Sequence, residues 1–205
     1  MLTIQILDYL GTAAFAVSGA LKGVRKEMDI FGVAVLATVT AIGGGTIRDT
    51  LLQEKVFWLR DPVYVPLAAG AAIAVFILYR WFQKTHRALL IFDAIGLGVF
   101  TAIGAVKAWD AGTGLVGVVT MACLTGVGGG VIRDVLARDV PAVLREEVYA
   151  SATIAGAFLF WVLARGGASQ PVTLWVTAGL TLLIRLASIA LRWNLPRRTV
   201  DDHEP

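Results

Sequence analysis

Long apolar runs broken by short charged stretches dominate the chain. Seven windows stand out, at about 4–21, 30–47, 63–82, 89–106, 115–132, 148–164 and 172–191. Most approach the roughly 20 apolar residues that carry a helix across a bilayer core. None alternates with the period of two that a barrel strand requires. The pattern therefore predicts an all-α membrane protein of seven transmembrane helices, forming one transmembrane domain over 1–193. A polar tail follows at 194–205. It holds Pro196 and the acidic Asp201, Asp202 and Glu204, and reads as disordered.

Composition agrees. The 205 residues are 57% hydrophobic and 16% charged, with a mean hydropathy of +0.74, where a soluble domain carries about 25% charge. The first window lacks the basic leader of a signal peptide and has Asp8 near its start, so it reads as a retained helix. Cys123 is the single cysteine, which excludes an intrachain disulfide. A net charge of +3 does not point to nucleic acid, because the basic residues sit in loops between spans.

Those loop charges orient the chain. One side collects Arg48, Lys55, Arg60, Lys107 and Arg165. The other collects Lys22, Arg25, Lys26, Arg80, Lys84, Arg87, Arg133, Arg138, Arg145, Arg192, Arg197 and Arg198. The positive-inside rule puts the second group in the cytoplasm, with the amino terminus outside and the carboxyl terminus inside.

The chain also repeats itself at an offset of 85 residues. Asp8 aligns with Asp93, Gly11 with Gly96, Phe15 with Phe100, Gly19 with Gly104, Lys22 with Lys107 and Thr40 with Thr125. The block Gly43-Gly44-Gly45-Thr46-Ile47-Arg48-Asp49 aligns with Gly128-Gly129-Gly130-Val131-Ile132-Arg133-Asp134, and Tyr64 with Tyr149. Each copy, about 5–82 and about 89–165, holds three helices. An odd number inserts the second copy upside down, the inverted architecture of transporters and some channels, with the seventh helix outside the repeat.

Three consecutive glycines weaken a helix, at roughly 1 kcal/mol each relative to alanine. A break at membrane depth frees carbonyls that suit a dehydrated cation. Two breaks facing each other would form a backbone potassium site near Gly44 and Gly129; the competing reading is close helix packing. Arg48–Asp49 and Arg133–Asp134 are either tethered charges that gate a pathway or helix-end arginines that snorkel. Asp8 and Asp93 begin their helices and Lys22 and Lys107 end theirs, which helix dipoles explain; the competing reading makes them pore charges, with Lys22 and Lys107 gating beside the Arg–Asp pairs. Arg185 lies inside the seventh window, with no partner evident. The six tryptophans lie mostly near span ends, as interfacial anchors do. His86 and His203 have no metal-ligand spacing, and no nucleophile or phosphate motif points to an enzyme.

The paired GGGxxRD motifs, the seven windows and the three-plus-three-plus-one plan resemble the TRIC family of trimeric intracellular cation channels, in its prokaryotic branch. The resemblance covers about 5–192. It implies a homotrimer in a bacterial or archaeal plasma (inner) membrane, each subunit holding its own pore among membrane lipids. The permeant species would be monovalent cations, chiefly potassium and also sodium, with no cofactor. It also implies that the second and fifth helices kink at Gly43–Gly44–Gly45 and Gly128–Gly129–Gly130 to line the pore, with Thr40 and Thr125 beside them. Animal members carry a basic, lipid-binding motif after the second triplet. Here only Arg133 corresponds, and the stretch continues Asp134-Val135-Leu136, so phosphoinositide regulation is not implied. An alternative function, transport of a small amino acid such as glycine, fits the same architecture.

Overall fold

The computed structural model describes residues 2–82, 86–145, 148–191 and 193. Lys84, Arg192 and the tail with Arg197, Arg198 and His203 lie outside the described residues, as do the side chains of Arg80, Trp81 and His86.

The apolar windows fold into helices α1 (Leu2–Arg25), α2 (Ile30–Leu51), α4 (Tyr64–Phe82), α5 (His86–Asp110), α6 (Leu115–Leu136), α7 (Ala150–Arg165) and α8 (Gln170–Leu191). Between α2 and α4 sits a four-residue helix, α3 (Phe57–Arg60), which the hydrophobic pattern did not announce. The matching segment before α7 is a single 3-10 turn, Ala142–Leu144. Among the described residues, α1, α2, α5, α6 and α8 are long and apolar enough to cross a membrane, while α4 and α7 contribute shorter apolar stretches.

Boundaries differ from the windows in a way that matters. α2 and α6 run about four residues beyond them, so Arg48, Asp49, Arg133 and Asp134 lie within helices rather than in loops. α1 begins at Leu2, which puts Asp8 two turns inside it, and Asp93 is equally deep in α5. Neither acid can serve the helix amino end, so the dipole explanation fails for both. It holds for Lys22 and Lys107, which occupy last turns.

Local signals fix the ends. Asp29 caps α2 by accepting a bond from Gly32 N at 2.7 Å. Helix exits repeat at the 85-residue offset. Glu27 and Gly112 both take left-handed backbone after α1 and α5, and Gln53 and Arg138 do so after α2 and α6. The closing bonds repeat too, Glu54 N to Asp49 O at 2.8 Å and Asp139 N to Asp134 O at 2.9 Å.

α5 is central. It packs against α1, α6, α7 and α8, and α1 in turn packs against α2 and α4. Small residues line these seams: Ala94, Ala102, Ala105 and Ala108 on α5 and Ala16 and Ala20 on α1 are wholly buried, with Phe15, Phe100, Leu97 and Ile103 filling between them. Small seams and few large fillers are how membrane helices approach closely without a hydrophobic effect between them.

Candidate functional site between the glycine triplets

α2 and α6 cross at their glycine triplets. A Cβ placed on Gly44 would collide with the carbonyl oxygen of Thr125, and one placed on Gly129 would collide with the carbonyl oxygen of Thr40. A Cβ on Gly128 would lie 3.1 Å from the Gly44 Cα. Only glycine permits two backbones to approach this closely. Gly43 faces the Ile132 side chain. Gly45 and Gly130 point elsewhere, to the Phe57 ring and the Tyr149 hydroxyl. The two triplets therefore do face each other, as the repeat predicted.

They do not break their helices. α2 and α6 are continuous α-helix through Gly43–Gly45 and Gly128–Gly130. Carbonyls freed by a broken helix, the basis of the backbone potassium site expected near Gly44 and Gly129, are therefore absent there. The reason is energetic. A few kcal/mol of glycine propensity is outweighed where a freed carbonyl would find no water and the partner helix packs directly on the flat surface. Thr40 and Thr125 likewise turn inward, each hydroxyl donating to its own helix, to Leu36 O and Met121 O, both at 2.6 Å.

Charges flank the crossing at both ends. Arg48 and Arg133 are 1% and 2% exposed, so neither snorkels to an interface. Each bonds the acid beside it, Arg48 Nε to Asp49 Oδ1 at 2.7 Å and Arg133 Nε to Asp134 Oδ1 at 3.0 Å. The second oxygen of each acid fixes the next segment, accepting from Phe57 N at 2.8 Å and Ala142 N at 3.0 Å. Lysines bridge between the copies: Lys22 lies 3.4 Å from Asp134 and Lys107 lies 3.3 Å from Asp49. Lys22 and Lys26 both reach Asp139 at 2.7 Å, while Lys107 reaches Glu54 at 3.0 Å. A cavity of about 420 Å³ opens at the Arg133 end, lined in part by Lys22, Arg25, Lys26, Arg133, Asp134 and Asp139.

The two ends are not equivalent. Arg133 Nη1 forms a buried ion pair with Asp93 and donates to Ser18 Oγ at 2.6 Å. Arg48 makes no such pair with Asp8. Its Nη2 lies 2.7 Å from Asp49 Oδ1 without hydrogen-bond alignment, and Nη1 has no partner. Asp8 accepts from the Tyr64 hydroxyl at 3.0 Å through Oδ2, leaving Oδ1 buried and unpaired.

Sequence reasoning named the glycines, threonines, arginines, adjacent acids and lysines, and the structure brings all of them to this region. It preferred a helix-dipole role for Asp93 and Asp8, and it missed Ser18, Tyr64 and Tyr149 as members. Four of these five are identical between the copies, and that identity was the available signal. Arg185 also finds a place. Buried at 2% exposure, its guanidinium stacks 4.7 Å over the Tyr149 ring, which lies beside Arg133 and Asp93. Among the tryptophans, Trp175 and Trp193 are exposed, whereas Trp58 is tied to Thr46 Oγ1 at 3.0 Å.

Long apolar helices with charged side chains held in the interior define a polytopic membrane protein whose buried charges mark its candidate site. A family model described as Glycine transporter matches twice, over residues 5–80 and 90–165. The UPF0126 inner membrane protein YadS of Escherichia coli (strain K12) is 44% identical over 96% of this chain and 97% of its own length. The TRIC trimeric intracellular cation channel orthologue from Rhodobacter sphaeroides is 38% identical, superposes with a TM-score of 0.90, and matches 94% of this chain and 100% of that one. Another solved TRIC cation channel is 39% identical with a TM-score of 0.88, over 96% and 98% of the two chains. The chain belongs to the TRIC family, in its prokaryotic branch.

Proposed function

We propose that this protein is a cation channel of the inner membrane, potassium-permeable, with a pathway between α2 and α6 in each subunit of a homotrimer. The observation that carries the proposal is the mutual approach of Gly44 and Gly129. Two helices whose backbones touch at one point, with charged groups at both ends, form a constriction that a small sliding or tilting motion opens. The match to TRIC cation channels over nearly the whole chain supports the same reading. In it seven helices span the membrane, the second copy is inverted, the amino terminus is outside and lipids surround the trimer.

The buried charges favour cations. Among the described residues, Asp8, Asp49, Asp93 and Asp134 face Arg48, Arg133 and Arg185, four formal negative charges against three positive. Lys22 and Lys107 stand at the mouths, partly exposed, where they are placed to gate rather than to select. With the helices closed, backbone carbonyls of Thr40 and Thr125 lie against the opposing glycines. Parting the helices opens that constriction while each helix stays continuous.

Transport of glycine is the second reading, favoured by the description of the matching family model. Planar-bilayer recording of the purified protein under a potassium chloride gradient, repeated with glycine, separates the two. Discrete cation-selective steps indifferent to glycine are expected. Electrical silence with saturable glycine uptake into liposomes would overturn the channel reading.

A further inference from the structure

The repeat gives every residue in one copy a counterpart in the other, so a difference between counterparts is informative. Arg133 holds Asp93 and Ser18, with Asp134 on its Nε. Its counterpart Arg48 holds Asp49 and lies 5.6 Å over the Phe57 ring, although Asp8 occupies the position of Asp93 on α1. Arg48 Nη1, Arg48 Nη2 and Asp8 Oδ1 are all buried without a hydrogen-bond partner, and Thr12 Oγ1, one turn from Asp8, is a fourth such atom. Hydrogen-bonding atoms of charged groups left over away from water are costly, and the spare guanidinium nitrogens of Arg48 and the spare oxygen of Asp8 are each other's natural remedy. Several cross-copy contacts of the site are doubled: Lys22–Asp134 with Lys107–Asp49, Lys22–Asp139 with Lys107–Glu54, and Gly44–Thr125 with Gly129–Thr40.

We infer that the structure is one of two alternating states, in which the Arg133–Asp93 latch is closed and the Arg48–Asp8 latch is open, and that the protein exchanges them. In the second state Arg48 swings from Asp49 to Asp8, and Arg133 releases Asp93 and Ser18 towards the cavity it already lines. The copies are not perfect equals. Ser18 has Ile103 as its counterpart, so the Arg48 latch lacks a hydroxyl donor-acceptor and is the weaker one. That bias accounts for which latch is closed here. The inference rests on the proposed pathway only in its consequence, that release at one end accompanies closure at the other; the exchange itself concerns side-chain pairing.

Thiol labelling tests it without any ion flux. In a Cys123→Ser background, a Ser18→Cys reporter is buried while Arg133 covers it and meets a small water-soluble methanethiosulfonate only when the latch opens. Asp93→Asn is expected to speed labelling. Asp8→Asn and Arg48→Gln, both remote from the reporter, are each expected to slow it about tenfold, the weight of one charge-assisted hydrogen bond. The double variant Asp8→Asn with Arg48→Gln is expected to slow it no more than either alone. Labelling within twofold of the parent in both single variants, effects that multiply in the double variant, or protection of the reporter in every variant would overturn the exchange. Should one single variant fail to fold, the other alone decides between tenfold and twofold. Because labelling is read on purified protein whatever it conducts, failure of the exchange and failure of the channel reading are seen separately.

Discussion

Phe15 of α1 and Phe100 of α5, counterparts 85 positions apart, touch each other, with ring centroids 5.3 Å apart and planes tilted by 44°. Counterpart residues can meet only where the two copies meet, so this pair marks the seam. Gly96 and Gly11 make room for it, since a Cβ on Gly96 would enter the Phe15 ring and one on Gly11 would sit 3.2 Å from Phe100. Gly129 also faces Phe15, which couples the seam to the glycine crossing.

The crossing itself predicts an asymmetry among glycine substitutions. Gly44→Ala or Gly129→Ala drives a methyl into a carbonyl of the facing backbone, which cannot rotate away. Overpacking of this kind costs about 1–3 kcal/mol, enough to exceed the roughly 1 kcal/mol that alanine gains in a helix. Gly70→Ala, where nothing lies within 4 Å, should be neutral or stabilising. Thermal melting in detergent checks this: a lower Tm is expected for the first two only, and currents through Gly44→Leu and Gly129→Leu should vanish while the oligomer persists.

Breaking the Arg133–Asp93 pair should be severe. Asp93→Asn leaves a buried guanidinium short of its counter-charge, at a cost of about 3 kcal/mol. Asp8→Asn keeps the Tyr64 bond and removes an unpaired charge, so its equilibrium stability should stay within about 1 kcal/mol of the parent. Equal losses in both variants, measured by denaturant titration, would contradict the difference between the two ends.

Gln53 and Arg138 end α2 and α6 with φ of 57° and 55°, a conformation that costs a side-chain-bearing residue roughly 1 kcal/mol. Gln53→Gly and Arg138→Gly should each preserve the turn and stabilise by up to about 1 kcal/mol, less the chain entropy that glycine adds to the unfolded state. A fall in Tm on Gln53→Gly would show that its side chain contributes more than the backbone strain removes.

At the mouth, the Lys22 and Lys26 ammoniums hold the Asp139 carboxyl down to about 2 from its ordinary 3.8. A depressed carboxylate contributes stability that is complete above its unfolded value and is lost as pH falls through its folded one. Asp139→Asn should therefore differ from the parent from neutral pH down to about 4, and the difference should vanish by about pH 2. The site is open to solvent, so the effect should be under about 1 kcal/mol and shrink in 1 M salt. Melting curves at pH 7, 4 and 2 measure all three points.

How far the chain could be read depended on whether the deciding contact was local or distant. The triplets, the Arg–Asp pairs and the terminal lysines were visible because both copies carry them in register, and their facing arrangement followed from duplication. Helix continuity through Gly43–Gly45 was not, because propensity favours a break and only the packed Thr125 backbone opposes one. Asp8 and Asp93 were misjudged for two reasons. Apolar windows start where hydropathy rises, two residues after α1 begins, and their partners arrive from elsewhere: Tyr64 from 56 positions away and Arg133 from 40. Arg185 needed Tyr149 from another helix before its depth made sense.

The bridges that close the crossing share one property: Lys22 meets Asp134, Lys107 meets Asp49, and each central glycine meets a threonine of the other copy. Neither half of the polypeptide can assemble its share alone, and each is shaped to accept its sibling. Two separately expressed fragments, divided between α4 and α5, should seek each other in the bilayer and rebuild the crossing. By the same logic, a change on one half is felt first by the other, so the two halves can drift in sequence only together.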